Sequence, residues 1–250
     1  MDNGDDLSLP ELKTSPLWMR SILAGLFMAL VVIVLALLAV DQLLADIGIN
    51  DSAPQAAVCN DVASGQRVYR IDPEQSEVRY QVDEFLLQSN SFGTPVGRTS
   101  AVDGYIVVDF DSPAGSRVCQ LVINVSQLET ENERRDRIVR VRYLNTIDYP
   151  EAYFEPTHLL DFPDDATEGE PFSFRLRGDM TIKGETRTEI WNVTTTLAED
   201  RIEGVAETVI LMSDYGIGPV NIAGFVESSD DVTLTFDFVA VEVDPRAVLP

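Results

Sequence analysis

Apolar and polar residues alternate with a period of two along much of the chain, and this pattern constrains the fold more than any other feature. In a β-strand successive side chains point to opposite faces, so the alternation predicts half-buried strands with one solvated face. Turn-forming residues separate the stretches, as at Lys183-Gly184. Many short strands separated by such turns predict an all-β sandwich or barrel. The alternating stretches are residues 78–82, 102–110, 121–125, 172–180, 191–195 and 232–238.

One stretch, residues 131–144, breaks the strand pattern. It is rich in charge, and Ile138, Val141 and Leu144 recur at a spacing of three. This spacing predicts a short helix, with Asn132 as its N-cap, that crosses one open end of the sheet.

A different constraint comes from residues 21–40, which contain no charged side chain. About 20 apolar residues are what a helix needs to cross a hydrocarbon core. Lys13 and Arg20 precede the segment, whereas no Lys or Arg follows it until Arg67. The positive-inside rule then places the N-terminus in the cytoplasm and the remainder on the extracytoplasmic side, either periplasmic or at the cell surface. A cleaved signal peptide is the alternative, although its apolar core is usually shorter.

These patterns predict four parts of the chain. Residues 1–20 form a cytoplasmic tail, residues 21–40 a transmembrane helix, and residues 41–58 a linker. A single β-domain then occupies residues 59–250, which is ample length for one hydrophobic core.

The formal net charge of −24 excludes several classes of function. Nucleic-acid binding and docking on anionic lipid both require a basic surface. One His and two Cys in the whole chain disfavour a His/Cys metal site, so we expect no metal and no cofactor.

The two cysteines, Cys59 and Cys119, both follow the apolar segment, in a compartment that permits disulfides. With no third candidate, a single pairing is possible, and it would close a loop of about 60 residues. Two unrelated thiols are the alternative, with Cys119 as a small core residue.

A set of short motifs follows a definite order along the domain. They are residues 69–78 and 125–130, then Arg135, Asp136, Arg140, Leu144, Tyr149, Pro150 and Phe154, and then residues 177–186, 213–217 and 236–240. No single motif is specific, but their order resembles that of the YceI-like family of lipid- and polyisoprenoid-binding proteins, in which residues 69–78 would be the first strand. Gln75 and Glu84 stand where members of the family often have His, and the segment 88–100 is longer and more polar than is typical of the family.

The resemblance implies a lipocalin-like antiparallel barrel around an elongated apolar cavity that holds an isoprenoid or fatty-acyl chain. Periodicity alone does not distinguish a cavity from a packed core, since about eight strands lies at the threshold between them. Strand parity together with the implied cavity predicts these ligand-contacting residues: Tyr80, Ile106, Val108, Phe174, Trp191 and Phe236.

An arginine cluster at positions 134, 135, 137, 140 and 142 is the one basic patch in this acidic sequence. Arg137 and Arg140 are predicted to form a clamp for an anionic headgroup at the cavity mouth. The alternative is pairing with acidic neighbours on the same helix.

Three functions fit the sequence. The first is a non-enzymatic lipid-binding protein tethered to the membrane by its N-terminal helix, with no catalytic residues and no nucleic-acid partner. The second is an extracytoplasmic interaction module with a packed barrel and an acidic surface for an unidentified protein partner. The third is an enzyme with an unrecognised carboxylate site.

Overall fold

The computed structural model describes residue 35 and residues 49–248, apart from residues 57, 58, 60, 61, 113, 114, 164, 165, 199 and 223. The predicted tail and transmembrane helix therefore lie outside the described residues, except for Leu35, which is helical. Within the described part of the chain, no helix has both the length and the apolar character needed to cross a membrane.

Among the described residues, twelve antiparallel strands form one continuous sheet, as the alternating pattern predicted. The strands are β1 (Arg67–Ile71), β2 (Glu77–Leu86), β3 (Ser91–Gly93), β4 (Val96–Thr99), β5 (Val102–Val108), β6 (Arg117–Asn124), β7 (Glu151–Leu160), β8 (Pro171–Ile182), β9 (Glu185–Leu197), β10 (Arg201–Leu211), β11 (Asn221–Ile222) and β12 (Val226–Val243).

The sheet closes into an eight-stranded barrel because β12 pairs with both β10 and β1. The strand order around the barrel is β1-β5-β6-β7-β8-β9-β10-β12. β12 is long enough to pair with β2 over residues 226–237 and with β1 over residues 240–243. β1 and β2 therefore act as one strand of the barrel, and β4 and β5 pair against them in the same way.

The break between β1 and β2 is held by side-chain hydrogen bonds. Ser76 is buried, and its hydroxyl donates to the carbonyl oxygen of Val239 (3.2 Å) and accepts from the Val239 amide (3.0 Å). The Asp72 amide donates to the same carbonyl at 2.8 Å. The short polar motif that follows β1 thus replaces the missing ladder bonds of the kinked strand.

Residues 131–144 form the predicted helix. α1 spans Glu133–Ile138, and the side chain of Asn132 accepts hydrogen bonds from the amides of Arg134 and Arg135. The helix continues as a π-helix over Val139–Leu144. Shorter helical segments are the 3₁₀ turns Val125–Gln127 and Met212–Tyr215 and the terminal α2 (Pro245–Val248).

We call the end of the barrel at which α1 lies the helix end, and the opposite end the far end. At the helix end, β6 finishes before α1 and β7 starts after it. At the far end, β5 finishes at Val108 and β8 begins at Pro171.

The outer face of β5 and β6 is covered by residues 49–56, 59 and 62. The Ala56 amide donates to Oδ2 of Asp103 at 2.9 Å, and the Asn124 side chain donates to the carbonyl oxygen of Asn50. Part of the segment predicted as a linker therefore packs on the barrel. The reason is that Tyr105 and Val107 make a second apolar patch, on the face opposite the barrel core.

Candidate functional site: an apolar cavity at the helix end

The predicted disulfide is confirmed. Cys59 and Cys119 are bonded, with their Cα atoms 5.1 Å apart. Cys119 is buried beside Val68 and Val107 on the outer face of the sheet. The bond therefore fixes Cys59 to the outer side of the barrel wall without occupying the barrel interior.

A cavity of about 640 Å³ lies inside the barrel at its helix end. That volume is within the range of roughly 300–1,000 Å³ typical of small-molecule sites. Its wall is formed mainly by aliphatic and aromatic side chains of β2, β6, β8, β10 and β12. The principal residues are Val78, Val82, Leu86, Leu121, Ile123, Leu176, Met180, Ile182, Ala206, Ile210, Val232 and Leu234.

The far half of the barrel is filled by its own side chains. Phe162, Phe172 and Phe174 form a cluster there, with ring centroids 5.3 to 6.2 Å apart. Phe238 and Ile202 are buried in the same core. The cavity is therefore a recess in the helix-end half of the barrel.

The aromatic and aliphatic residues that the sequence predicted to contact a ligand fall into two groups, those that border the cavity and those that do not. Tyr80, Trp191 and Phe236 form part of the cavity wall. Ile106, Val108 and Phe174 also pack in the barrel core, but toward its filled far half, and they are not part of the wall. The alternation along each strand correctly predicted which side chains point into the barrel. Whether such a side chain borders the cavity depends on its position along the barrel axis.

The arginine cluster divides in the same way. Arg134, Arg135 and Arg142 border the cavity, whereas Arg137 and Arg140 do not. Arg140 is buried and donates to the carbonyl oxygen of Leu128 at 3.2 Å. Residues three to four apart share a helix face, so positions 137 and 140 lie on a different face from positions 135 and 142.

The cavity mouth is marked by four wall residues that are also exposed to solvent: Asn132, Arg134, Arg142 and Phe225. Phe225 belongs to the turn between β11 and β12, and the other three belong to the helix or its cap. The mouth therefore combines cationic side chains on one side with an apolar side chain on the other.

The wall also contains polar side chains, among them Arg79, Glu84, Tyr143, Tyr153 and Ser228. Two further polar groups of the wall belong to Trp191 and Tyr80. Nε1 of Trp191 is buried and has no hydrogen-bond partner among the described residues. A buried donor without a partner costs about 1–3 kcal/mol, so an acceptor atom on a bound molecule would be stabilised there.

Tyr80 is the second polar group in the wall. Burial, and secondarily the nearby charge of Asp136, raise the pKa of Tyr80 to about 12. Its ring packs directly against the backbone of Gly97, where a Cβ atom would collide with the ring carbon Cε1. The Tyr80 phenol is therefore a fixed, neutral part of the wall.

A second recess, of about 680 Å³, lies on the outer surface beside residues 49–54. It is lined by side chains of both charge signs, including the ion pair in which Nε of Arg70 lies 2.8 Å from Oδ1 of Asp103. Because those charges already pair with each other, this recess is a weaker candidate for a ligand site than the apolar cavity.

An eight-stranded antiparallel barrel with an apolar internal cavity defines a class of proteins that bind small hydrophobic molecules. A model of the YceI-like domain matches residues 69–240. The chain belongs to the YceI-like family, which is a family of binding proteins and not of enzymes.

Relatives and solved structures agree with this assignment. A UPF0312 protein of Photorhabdus laumondii is 31% identical over 109 residues, which cover 43% of this chain and 52% of the relative. The chain thus spans about half the length of the curated relatives that it matches.

Two solved structures share the fold. BcnA of Burkholderia cenocepacia has a TM-score of 0.54 at 18% identity, with 68% of this chain and 99% of that chain covered. A polyisoprenoid-binding domain from Saccharophagus degradans, implicated in plant cell wall breakdown, has a TM-score of 0.52 at 17% identity. The match covers 70% of this chain and 98% of that chain.

Proposed function

We propose that this protein is a membrane-tethered, extracytoplasmic carrier that holds a long apolar lipid, a polyisoprenoid or fatty-acyl chain, in the helix-end cavity. The observation that carries the proposal is the apolar recess of about 640 Å³ in a barrel whose other half is filled. Each methylene group transferred from water to such a wall contributes about 0.8 kcal/mol, so ten would contribute about 8 kcal/mol before the entropic cost of binding.

The solved relatives support the ligand class. The Saccharophagus degradans domain binds polyisoprenoid by its description, and its barrel is similar to this one. The interaction-module alternative required a barrel packed along its whole length, which the cavity argues against.

The membrane tether rests on residues 21–40, whose uncharged sequence suits a spanning helix. The basic residues Lys13 and Arg20 on its N-terminal side support an extracytoplasmic barrel. A disulfide between Cys59 and Cys119 fits an oxidising compartment. The tether is tested by alkaline extraction of membranes: the full chain should remain in the pellet, and its release would contradict the proposal.

The carrier function is tested by mass spectrometry of lipid extracted from the protein purified from its native membrane. Ala206 lines the cavity, and Val209 lies on the outer face of the same strand, 57% exposed. Ala206→Trp should fill the recess and lose the lipid, whereas Val209→Trp should retain it.

Absence of lipid from the parent protein, or full retention by Ala206→Trp, would contradict the carrier function. Thermal unfolding of both variants shows whether a loss of lipid arises from filling the cavity or from loss of the fold.

A further inference from the structure

Two hairpin turns lie side by side at the helix end of the barrel. The Leu87 amide in the β2–β3 turn donates to the carbonyl oxygen of Phe225 in the β11–β12 turn at 2.9 Å. Leu86 pairs with Val226 directly behind them. We call residues 85–92, 221, 222 and 224–226 the hairpin tip.

The hairpin tip exposes large apolar side chains. Phe92 is 85% exposed, Phe225 54% and Leu87 38%. Phe92 packs against Phe85 across the hairpin, with the two ring centroids 4.9 Å apart. A cluster of exposed apolar side chains of this kind marks an interaction surface.

The hairpin tip also carries no charge, in a chain of which 24% is charged. Residues 85–97 and 215–226 contain no Asp, Glu, Lys, Arg or His. At about 3.3 Å per residue, Glu84 lies about 10 Å behind Leu87, and Glu227 about 7 Å behind Phe225. A basic protein partner would need acidic residues at the contact, so an uncharged tip favours a neutral partner.

The hairpin tip is continuous with the cavity. Leu86, Phe225 and Val226 belong both to the tip and to the cavity wall, and Val220 continues that wall next to β11. An apolar chain that passes from the tip into the barrel would contact apolar side chains along its path.

We propose that the hairpin tip docks on the neutral surface of a lipid bilayer and that lipid passes along it into the cavity. This proposal rests on the proposed carrier function for the origin of the ligand. The uncharged depth of about 7–10 Å matches the roughly 5–10 Å to which interfacial segments are buried. The turn residues Gln88, Ser89 and Asn90 at the end of the tip are polar but uncharged, so docking would transfer no charge out of water.

Docking is tested with the full chain incorporated into phosphatidylcholine vesicles. Because both native cysteines form the disulfide, a single added cysteine accepts an environment-sensitive fluorophore. Ser89→Cys places the label on the hairpin tip, and Glu170→Cys places it in the exposed β7–β8 loop at the far end. We expect a lipid with a spin label on its acyl chain to quench the label at position 89 severalfold more than at position 170.

Equal quenching at the two positions would overturn the docking proposal. The proposal would also be overturned if the fluorescence at position 89 changed with the amount of protein in the vesicles and not with the amount of spin-labelled lipid. A second copy of the chain would then cover the hairpin tip.

A kinetic experiment separates docking from ligand binding. Leu87 and Phe92 are not part of the cavity wall, so the variant with Leu87→Ser and Phe92→Ser keeps the ligand site intact. It should take up a fluorescent fatty-acyl probe from vesicles severalfold more slowly and bind the same amount at equilibrium. Phe110→Ser, an exposed residue beyond the far end of β5, is the matched control and should behave as the parent protein.

Unchanged uptake in the double variant would overturn the proposal while the carrier function stands. If the parent protein binds no lipid, the carrier function fails, and the quenching at position 89 still decides whether the tip docks.

Discussion

Replacing Trp191 with Phe removes one hydrogen-bond donor from the cavity wall. The Nε1 atom of Trp191 is buried without a partner among the described residues, in a wall that is otherwise largely apolar. If the ligand carries an acceptor atom at this height, such as an ester or ketone oxygen, the indole N–H binds it. A pure hydrocarbon leaves the donor unpaired.

The magnitude follows from the contribution of one hydrogen bond. A net contribution of about 0.5–1.5 kcal/mol corresponds to a change in affinity of roughly 2- to 12-fold. Trp191→Phe also removes ring area that contacts Phe154, whose ring centroid lies 5.9 Å from that of Trp191. That packing loss affects all ligands alike, so the ratio of two affinities isolates the hydrogen bond.

The assay is displacement of a fluorescent fatty-acyl probe by a fatty-acid methyl ester and by the alkane of the same chain length. The parent protein should prefer the ester, and Trp191→Phe should lose that preference by roughly 2- to 12-fold. Phe236→Leu changes the wall without removing a donor and should weaken both ligands equally. If the ester-to-alkane ratio of Trp191→Phe equals that of the parent protein, the donor does not face the ligand.

Three further predictions concern pH, the disulfide and the mouth. Because the pKa of Tyr80 is raised to about 12, its contribution to folding stability is complete below pH 10 and is lost as the pH rises through 12. Difference absorbance against Tyr80→Phe should show only about one tenth of Tyr80 ionised at pH 11, whereas a tyrosine with an unperturbed pKa would be about nine tenths ionised. Cys119→Ala opens a loop of about 60 residues and should lower the free energy of unfolding by up to about 4 kcal/mol in urea, and an unchanged urea midpoint would contradict this. Replacing Arg135 and Arg142 together with Gln should lower the affinity for an anionic-headed lipid severalfold and leave the affinity for a neutral lipid unchanged in the displacement assay. Arg137→Gln, away from the cavity wall, is the control, and an equal loss of affinity in it would contradict headgroup binding by Arg135 and Arg142.

The sequence correctly predicted the features that depend on a few neighbouring residues or on a regular pattern of burial. Asn132 caps α1 because its side chain reaches two free amides, and nothing in the tertiary structure competes with that. The two cysteines had one possible pairing, and the barrel brings them together. The inward faces of β8 and β12 followed from alternation, because one side of each strand is buried.

The strand β10 and the position of Phe174 depend on tertiary packing, which the alternation of apolar and polar residues does not predict. β10 lacks a clear apolar alternation because Gly204 and Ala206 occupy two of its inward positions. At Gly204 a Cβ atom would collide with the carbonyl oxygen of Thr194, so close strand packing dictates the residue there. Whether Phe174 borders a cavity or fills a core depends on the rings of Phe162 and Phe172 across the far end.

Among the described residues, the rings of Phe162, Phe172 and Phe174 pack in the half of the barrel that lies away from the cavity mouth. If the proposed carrier function holds, a chain that enters the mouth end-first stops against these rings, so the part that enters last leaves first. Uptake and release would then both pass Arg134 and Phe225 at the mouth. The direction of transfer would depend on whether the mouth faces a membrane that donates the lipid or one that accepts it.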